Sequence, residues 1–193
     1  MAMIGLGLRT LGIVALAAGL GACDRGLEGM VIDPPKAMPT FTFTRVDGSS
    51  FSTAPTAGQY TVLFFGYTNC PDVCPTTMAD FTRVKSTLGE AASRVRFVFI
   101  SVDPDRDTPQ VAADYARKFD PAFIGVSADP LTTVSILQAY GIAATPDVSS
   151  DHAAHLVSHS SQVHLLDDQG RLIALYPYGS PWKTLAHDLA QLL

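Results

Sequence analysis

Residues 60–75 read YTVLFFGYTNCPDVCP, and this stretch decides the fold. An uncharged, β-rich apolar run at 60–65 has the length of a buried strand and leads into a turn holding two cysteines. Cys70 and Cys74 lie about one helical turn apart. Beyond them Met78, Phe81, Val84 and Leu88 make an apolar stripe at helical spacing, which predicts a helix over 76–89. If the chain coils as it leaves the strand, both sulfurs point the same way. They can then share one metal ion or close on each other.

Outward from this stretch the pattern alternates. Residues 41–45 (FTFTR), followed by Asp47-Gly48 and Phe51, predict a hairpin. Residues 95–102 (VRFVFISV) predict a second buried strand. Thr108 as N-cap and Pro109 at the first helical position open a helix through Phe119. A short strand at 123–126 precedes a helix over 130–140, closed by Gly141. Residues 142–158 read as polar and irregular. A strand at 160–166, a turn at Gln169-Gly170, a partner strand at 172–176 and a helix over 181–193 finish the chain. The fold class is therefore α/β: a central, mostly parallel sheet flanked by helices, with an added N-terminal β-hairpin. A cysteine-bearing strand-to-helix turn, then βαβ, then a ββα end, is similar to the thioredoxin layout. In that layout the carboxyl ends of the central strands put Cys70 and Cys74 at one sheet edge, where later loops meet them.

The ends of the chain carry a different message. Arg9 ends a short n-region, and 11–22 (LGIVALAAGLGA) is uncharged but shorter than the ~20 residues of a spanning helix. It suits a signal h-region and runs into Leu20-Gly21-Ala22-Cys23, which resembles a bacterial lipobox. The expected division is a lipoprotein-type signal peptide at 1–22, a membrane tether at 23–39 rich in Gly and Pro, and a thioredoxin-like domain at 40–193. Cys23 would be lipidated, placing the domain in the periplasm of a bacterial envelope. An ordinary signal peptide with a chance cysteine, or an uncleaved anchor, are the alternatives. Hydrophobic residues make up 47% of the 193, so a packed core is expected, and a net charge of −5 with no Lys/Arg run argues against nucleic acid as a partner. No exposed apolar helix face stands out, so a monomer is expected.

Exported thiols meet an oxidising environment, and a dithiol persists there only with a reductant or a metal. With Cys23 taken by the anchor, Cys70 and Cys74 are the whole thiol inventory. They read as a structural disulfide or buried thiols, a redox dithiol, or a soft-metal site. The last needs a third ligand. Of five histidines, His187 reads as a solvated residue of the last helix and His164 as filler of a sheet face. His152 and His155 sit in the polar loop. His159, at the entry to a strand on the cysteine edge, is the best third ligand. A helix start near Cys74 and Pro75 is expected to lower the thiol pKa. Met78 reads as core. Residues 101–109 (SVDPDRDTP) lack the glycine and distant Glu of a calcium loop and read as turn and capping chemistry, with Arg106 bridging nearby carboxylates.

Three segments, YTNCPDVCP at 67–75, SVDPDRDTP at 101–109 and VSHSSQVHLLDDQG at 157–170, resemble the Sco/SenC family of copper-binding, thioredoxin-like proteins. The resemblance runs over roughly 41–193. It implies Cys70 and Cys74 as thiolate ligands and His159 as the distal imidazole for one copper, Cu(I) or Cu(II). It also implies a role in assembling the CuA centre of cytochrome c oxidase. The expected partners are the CuA-bearing subunit and another copper chaperone. The chain departs from the family pattern at Ser158, where an aspartate is usual, and at His164, where tyrosine is frequent; the stretch 148–155 carries two extra histidines, to which no role is assigned. Copper metallochaperone is thus the leading reading. The runner-up is a thiol:disulfide oxidoreductase, although the spacing is CxxxC rather than CxxC and Thr145-Pro146 lies far upstream of the strand at 160. A peroxidase ranks last.

Overall fold

The computed structural model describes residues 26–146 and 157–193, and of 145–146 and 157–159 the backbone path. Its elements are β1 (Met30–Ala37), β2 (Thr42–Thr44), β3 (Ser50–Ser52), β4 (Tyr60–Gly66), α1 (Val73–Leu88) and β5 (Val95–Ser101), followed by α2 (Pro109–Arg117), β6 (Ile124–Val126) and α3 (Pro130–Tyr140). The chain ends with β7 (Ala144–Pro146), β8 (Val157–His159), β9 (Val163–Leu166), β10 (Arg171–Tyr176) and α4 (Trp182–Leu192). Six strands form one sheet in the order β1-β10-β9-β4-β5-β6.

The α/β class stands, and the sheet is mixed. β4 is parallel to β5 and β5 to β6, while β9, β10 and β1 continue the sheet antiparallel. The register fixes which ends coincide: Phe64 pairs with Val163, Val163 with Tyr176, and Met30 with Leu175. The carboxyl end of β4, the start of β9, the end of β10 and the start of β1 therefore share one edge.

Every residue of β4 is buried, as an uninterrupted apolar run between two helical layers requires. Phe64 and Phe99 face α1 and α2, meeting Phe81 edge-on at 6.4 Å and Tyr115 at 4.9 Å between ring centroids. Phe65 faces the other side, where α3 delivers Tyr140 at 5.1 Å. Capping follows the sequence: Thr108 Oγ1 accepts from Val111 N–H, Asp129 accepts from Leu131 and Thr132 N–H, and Gly141 ends α3 in the left-handed conformation at φ 66°.

Three expectations change. Residues 30–37, assigned to the tether, instead form the edge strand β1. Pro34 and Pro35 are tolerated there because an edge strand leaves one row of N–H groups unused, and the register shifts between Val31 and Lys36. The strand expected at 160–166 is shorter, β9 at Val163–Leu166, and a further strand, β8, precedes it. β9 stays in the main sheet, whereas β8 pairs with β7 as a separate ribbon inside the stretch read as irregular. Finally, α1 begins at Val73, one turn earlier than expected, so that Cys74 is helical.

Candidate metal centre

The strand-to-helix turn brings the two cysteines together. Cys70 N–H donates to Tyr67 O at 3.2 Å, closing the turn, and Cys74 N–H donates to Cys70 Sγ at 3.4 Å. The Cys70 sulfur thus sits over the N-terminus of α1, taking up one of the donors a helix start leaves unmatched. Asp72 holds the N-cap position without a side-chain bond. Cys70 is half-buried and Cys74 is fully buried, both as thiols. Burial pushes the Cys74 thiol up, and the hydrogen bond with Cys70 adds to it. This overturns the expected lowering at a helix N-terminus: desolvation of a buried thiolate outweighs the dipole. A positive charge beside the sulfur would offset that cost.

Gly66 makes room for that sulfur. A Cβ at Gly66 would lie 2.8 Å from Cys74 Sγ, 2.9 Å from Phe99 Cε2 and 3.0 Å from Phe64 Cε1. Gly66→Ala is expected to cost about 1–3 kcal/mol, because the two rings are wedged in the core, and to displace the Cys74 sulfur. Denaturant unfolding and copper titration of the variant check both effects.

Behind the turn lies Asp107, 1% exposed. Its carboxylate accepts from Thr68 N–H at 2.9 Å, Thr68 Oγ1 at 2.6 Å and Ser101 Oγ at 2.7 Å. Thr68 belongs to the cysteine turn and Ser101 ends β5, so one buried carboxylate ties the turn to the sheet. Arg106 pairs with Asp103, as expected for turn chemistry, and lies over the Tyr67 ring at 5.7 Å. Tyr115 presents a buried hydroxyl without a hydrogen-bond partner in the described residues; burial, with the nearby Cys74, Cys70 and Asp107, pushes it up. Spacing alone revealed none of Gly66, Asp107 and Tyr115. The available signal was the pairing of Gly66 with Ser101 at the ends of two buried strands, beside a loop rich in carboxylates.

His159 closes β8 opposite Ala144, and Ser160 N–H donates to Ala143 O at 3.0 Å; the His159 side chain lies outside the described residues. Cys23, His152 and His155 also lie outside them. Among the described residues no group of three or more His, Cys, Asp or Glu is arranged to hold a metal. Two adjacent soft sulfurs on a rigid turn fit a soft monovalent or borderline ion better than a hard one. His164 is buried and faces Phe65 and Tyr140, the sheet-face filler expected, and His187 is half-exposed beside Asp188.

A mixed sheet whose first parallel strand ends in a CxxxC dithiol at the start of the next helix defines a thioredoxin-like thiol protein. Residues 31–193 match the SCO1/SenC family model, and the chain belongs to that family. It is similar to the apo Sco1 protein of Thermus thermophilus at 33% identity and a TM-score of 0.77, covering 86% of this chain and 96% of that one. It is similar to the copper-bound ScoI of Bradyrhizobium japonicum at 33% identity and a TM-score of 0.72, covering 81% and 99%. The SCO2-like protein RP587 of Rickettsia prowazekii is 31% identical over 126 residues, and the chain spans 62% of that protein's length.

Proposed function

We propose that this chain is a membrane-tethered copper metallochaperone that assists assembly of the CuA centre of cytochrome c oxidase. It would bind one copper as cargo through Cys70, Cys74 and His159. The observation that carries the reading is the pair of cysteines at the start of α1, Cys70 in the turn before it and Cys74 on its first turn, with Cys70 Sγ accepting from Cys74 N–H at 3.4 Å, in a family whose copper-bound member shares the fold. Copper fits this donor set because thiolate and imidazole serve both Cu(I) and Cu(II). Its charge also offsets the cost of ionising the buried Cys74. A half-exposed Cys70 suits ligand exchange with an acceptor, such as the CuA-bearing subunit, or a donor chaperone. Among the described residues no helix is long and apolar enough to cross a membrane. Membrane attachment in this reading rests on Cys23 and its lipid, with the domain in the periplasm.

The test is copper reconstitution of the full chain. One copper per chain and a Cu(II)–thiolate charge-transfer band are expected. Cys70→Ser or Cys74→Ser should abolish both, and His159→Ala should remove the band. Full copper uptake by the double serine variant would end this reading.

One feature favours a second activity. An accessible Cys70 above a buried Cys74 has the asymmetry of an attacking and a resolving thiol. In a thiol:disulfide exchange, Cys70 would attack a partner disulfide and Cys74 would release the reduced partner, leaving a Cys70–Cys74 disulfide. Rapid reduction of insulin disulfides without metal uptake would favour this reading over the first.

A further inference from the structure

The chain enters the domain through a built clasp. Asp188 on α4 is fully buried, and its carboxylate accepts from Glu28 N–H at 2.8 Å, Gly29 N–H at 2.9 Å and Tyr176 Oη at 2.7 Å. A Cβ at Gly29 would lie 2.6 Å from the Tyr176 ring, so the backbone approaches as closely as glycine allows. Cys23 precedes Glu28 by five residues, which span at most about 18 Å even when extended. The start of β1 shares the sheet edge at which β4 ends in the cysteine turn.

The same corner exposes apolar side chains. Met30 is 57%, Val31 52% and Tyr178 53% exposed, and Trp182, half-buried against the core at the start of α4, carries Lys183 5.9 Å over its ring. Tyrosine and tryptophan beside a cation are the side chains that settle at the headgroup level of a bilayer. A groove of about 320 Å³ runs from Tyr178 and Trp182 to Thr76 and Thr77 on the first turns of α1, joining the corner to the helix that carries Cys74. Leu131 and Val134 on α3 are also exposed, but nothing points to what would cover them.

We propose that the corner formed by Met30, Val31, Tyr178 and Trp182 rests on the membrane interface, so that the thiol edge is held along the bilayer surface. This rests on the tether reading of Cys23 and deepens it: the short tether and the clasp orient the domain as well as confine it. An acceptor would then have to present its copper-receiving thiols close to the headgroups.

Trp182 is the single tryptophan of the chain and reports directly. The full chain, made in a bacterial host with its own N-terminus, is reconstituted into phosphatidylethanolamine–phosphatidylglycerol vesicles with and without lipids brominated near the headgroup. Co-sedimentation with vesicles and loss of about half the Trp182 emission to the brominated lipid are expected. The loss should disappear when about 15 Gly/Ser residues are inserted after Arg25, or in Val31→Asp/Tyr178→Asp, while sedimentation persists. A chain that sediments but keeps full emission overturns the orientation and leaves the tether standing. A chain that does not sediment overturns both. Emission that the brominated lipid leaves unchanged but a soluble CuA-domain protein alters makes the corner a protein-docking face and overturns the membrane assignment.

Discussion

Asp107→Ala is expected to destabilise the domain by about 3 kcal/mol and to weaken copper binding about 10–100-fold. The carboxylate is buried and serves three donors. Removing it strands Thr68 N–H, which cannot turn to another acceptor, along with two hydroxyls that partly can. Two effects on the metal site compete. Losing the clamp frees the turn that positions Cys70. Losing a negative charge beside the buried Cys74 eases its ionisation, since Asp107 is among the groups that push that thiol up. The geometric loss should win in alanine, because a displaced sulfur forfeits a metal bond outright. In Asp107→Asn the shape is kept, an amide oxygen in the place of Oδ2 still accepts from Thr68 N–H and Ser101 Oγ, and the charge is gone, so copper affinity should recover much of the way. Urea unfolding and copper titration against a competing chelator separate the two. Wild-type stability in Asp107→Ala would show that the turn is held by something else.

This carboxylate also marks where sequence reading stops. Periodicity and capping signals are local, and they located β4, β5, α2 and α3 correctly because each element announces itself within its own residues: a buried run, or Thr108-Pro109, or Gly141. The CxxxC turn was legible for the same reason. β1 was not, because Pro34 and Pro35 resemble a linker unless the partner strand is known, and the prolines are harmless only on an edge. The short ribbon of β7 and β8 carries too few residues to show a period of two. Asp107 reaches across 39 positions to Thr68, and no spacing rule joins residues that far apart. The ionisation of Cys74 is hidden from the sequence for a related reason. The helix dipole can be read from sequence order, but burial, which decides the thiol's ionisation, depends on Gly66, Phe64 and Phe99 closing around the sulfur.

His164 should make the domain acid-labile, and the direction follows from its surroundings. It is fully buried on the sheet face between Phe65 and Tyr140, with ring centroids at 5.4 and 5.6 Å. Its Nδ1 has no hydrogen-bond partner in the described residues. Burial pushes its pKa down from 6.5 to about 4. The unfolded chain therefore takes up this proton before the folded one. No stability is lost to it above about pH 7; the loss grows as pH falls through 6.5 and levels off below about 4, where both states are protonated. The gap corresponds to about 3 kcal/mol, or roughly 8 °C in Tm for a domain of this size. His164→Phe keeps the aromatic packing and removes the proton site. Carboxylates elsewhere contribute equally to both proteins, so the difference between them isolates the imidazole. Thermal unfolding at about pH 7.5 and about pH 4 should show the wild type losing several degrees more than His164→Phe. Equal losses would mean that the ring reaches solvent or a partner on acidification and carries its charge without unfolding the sheet.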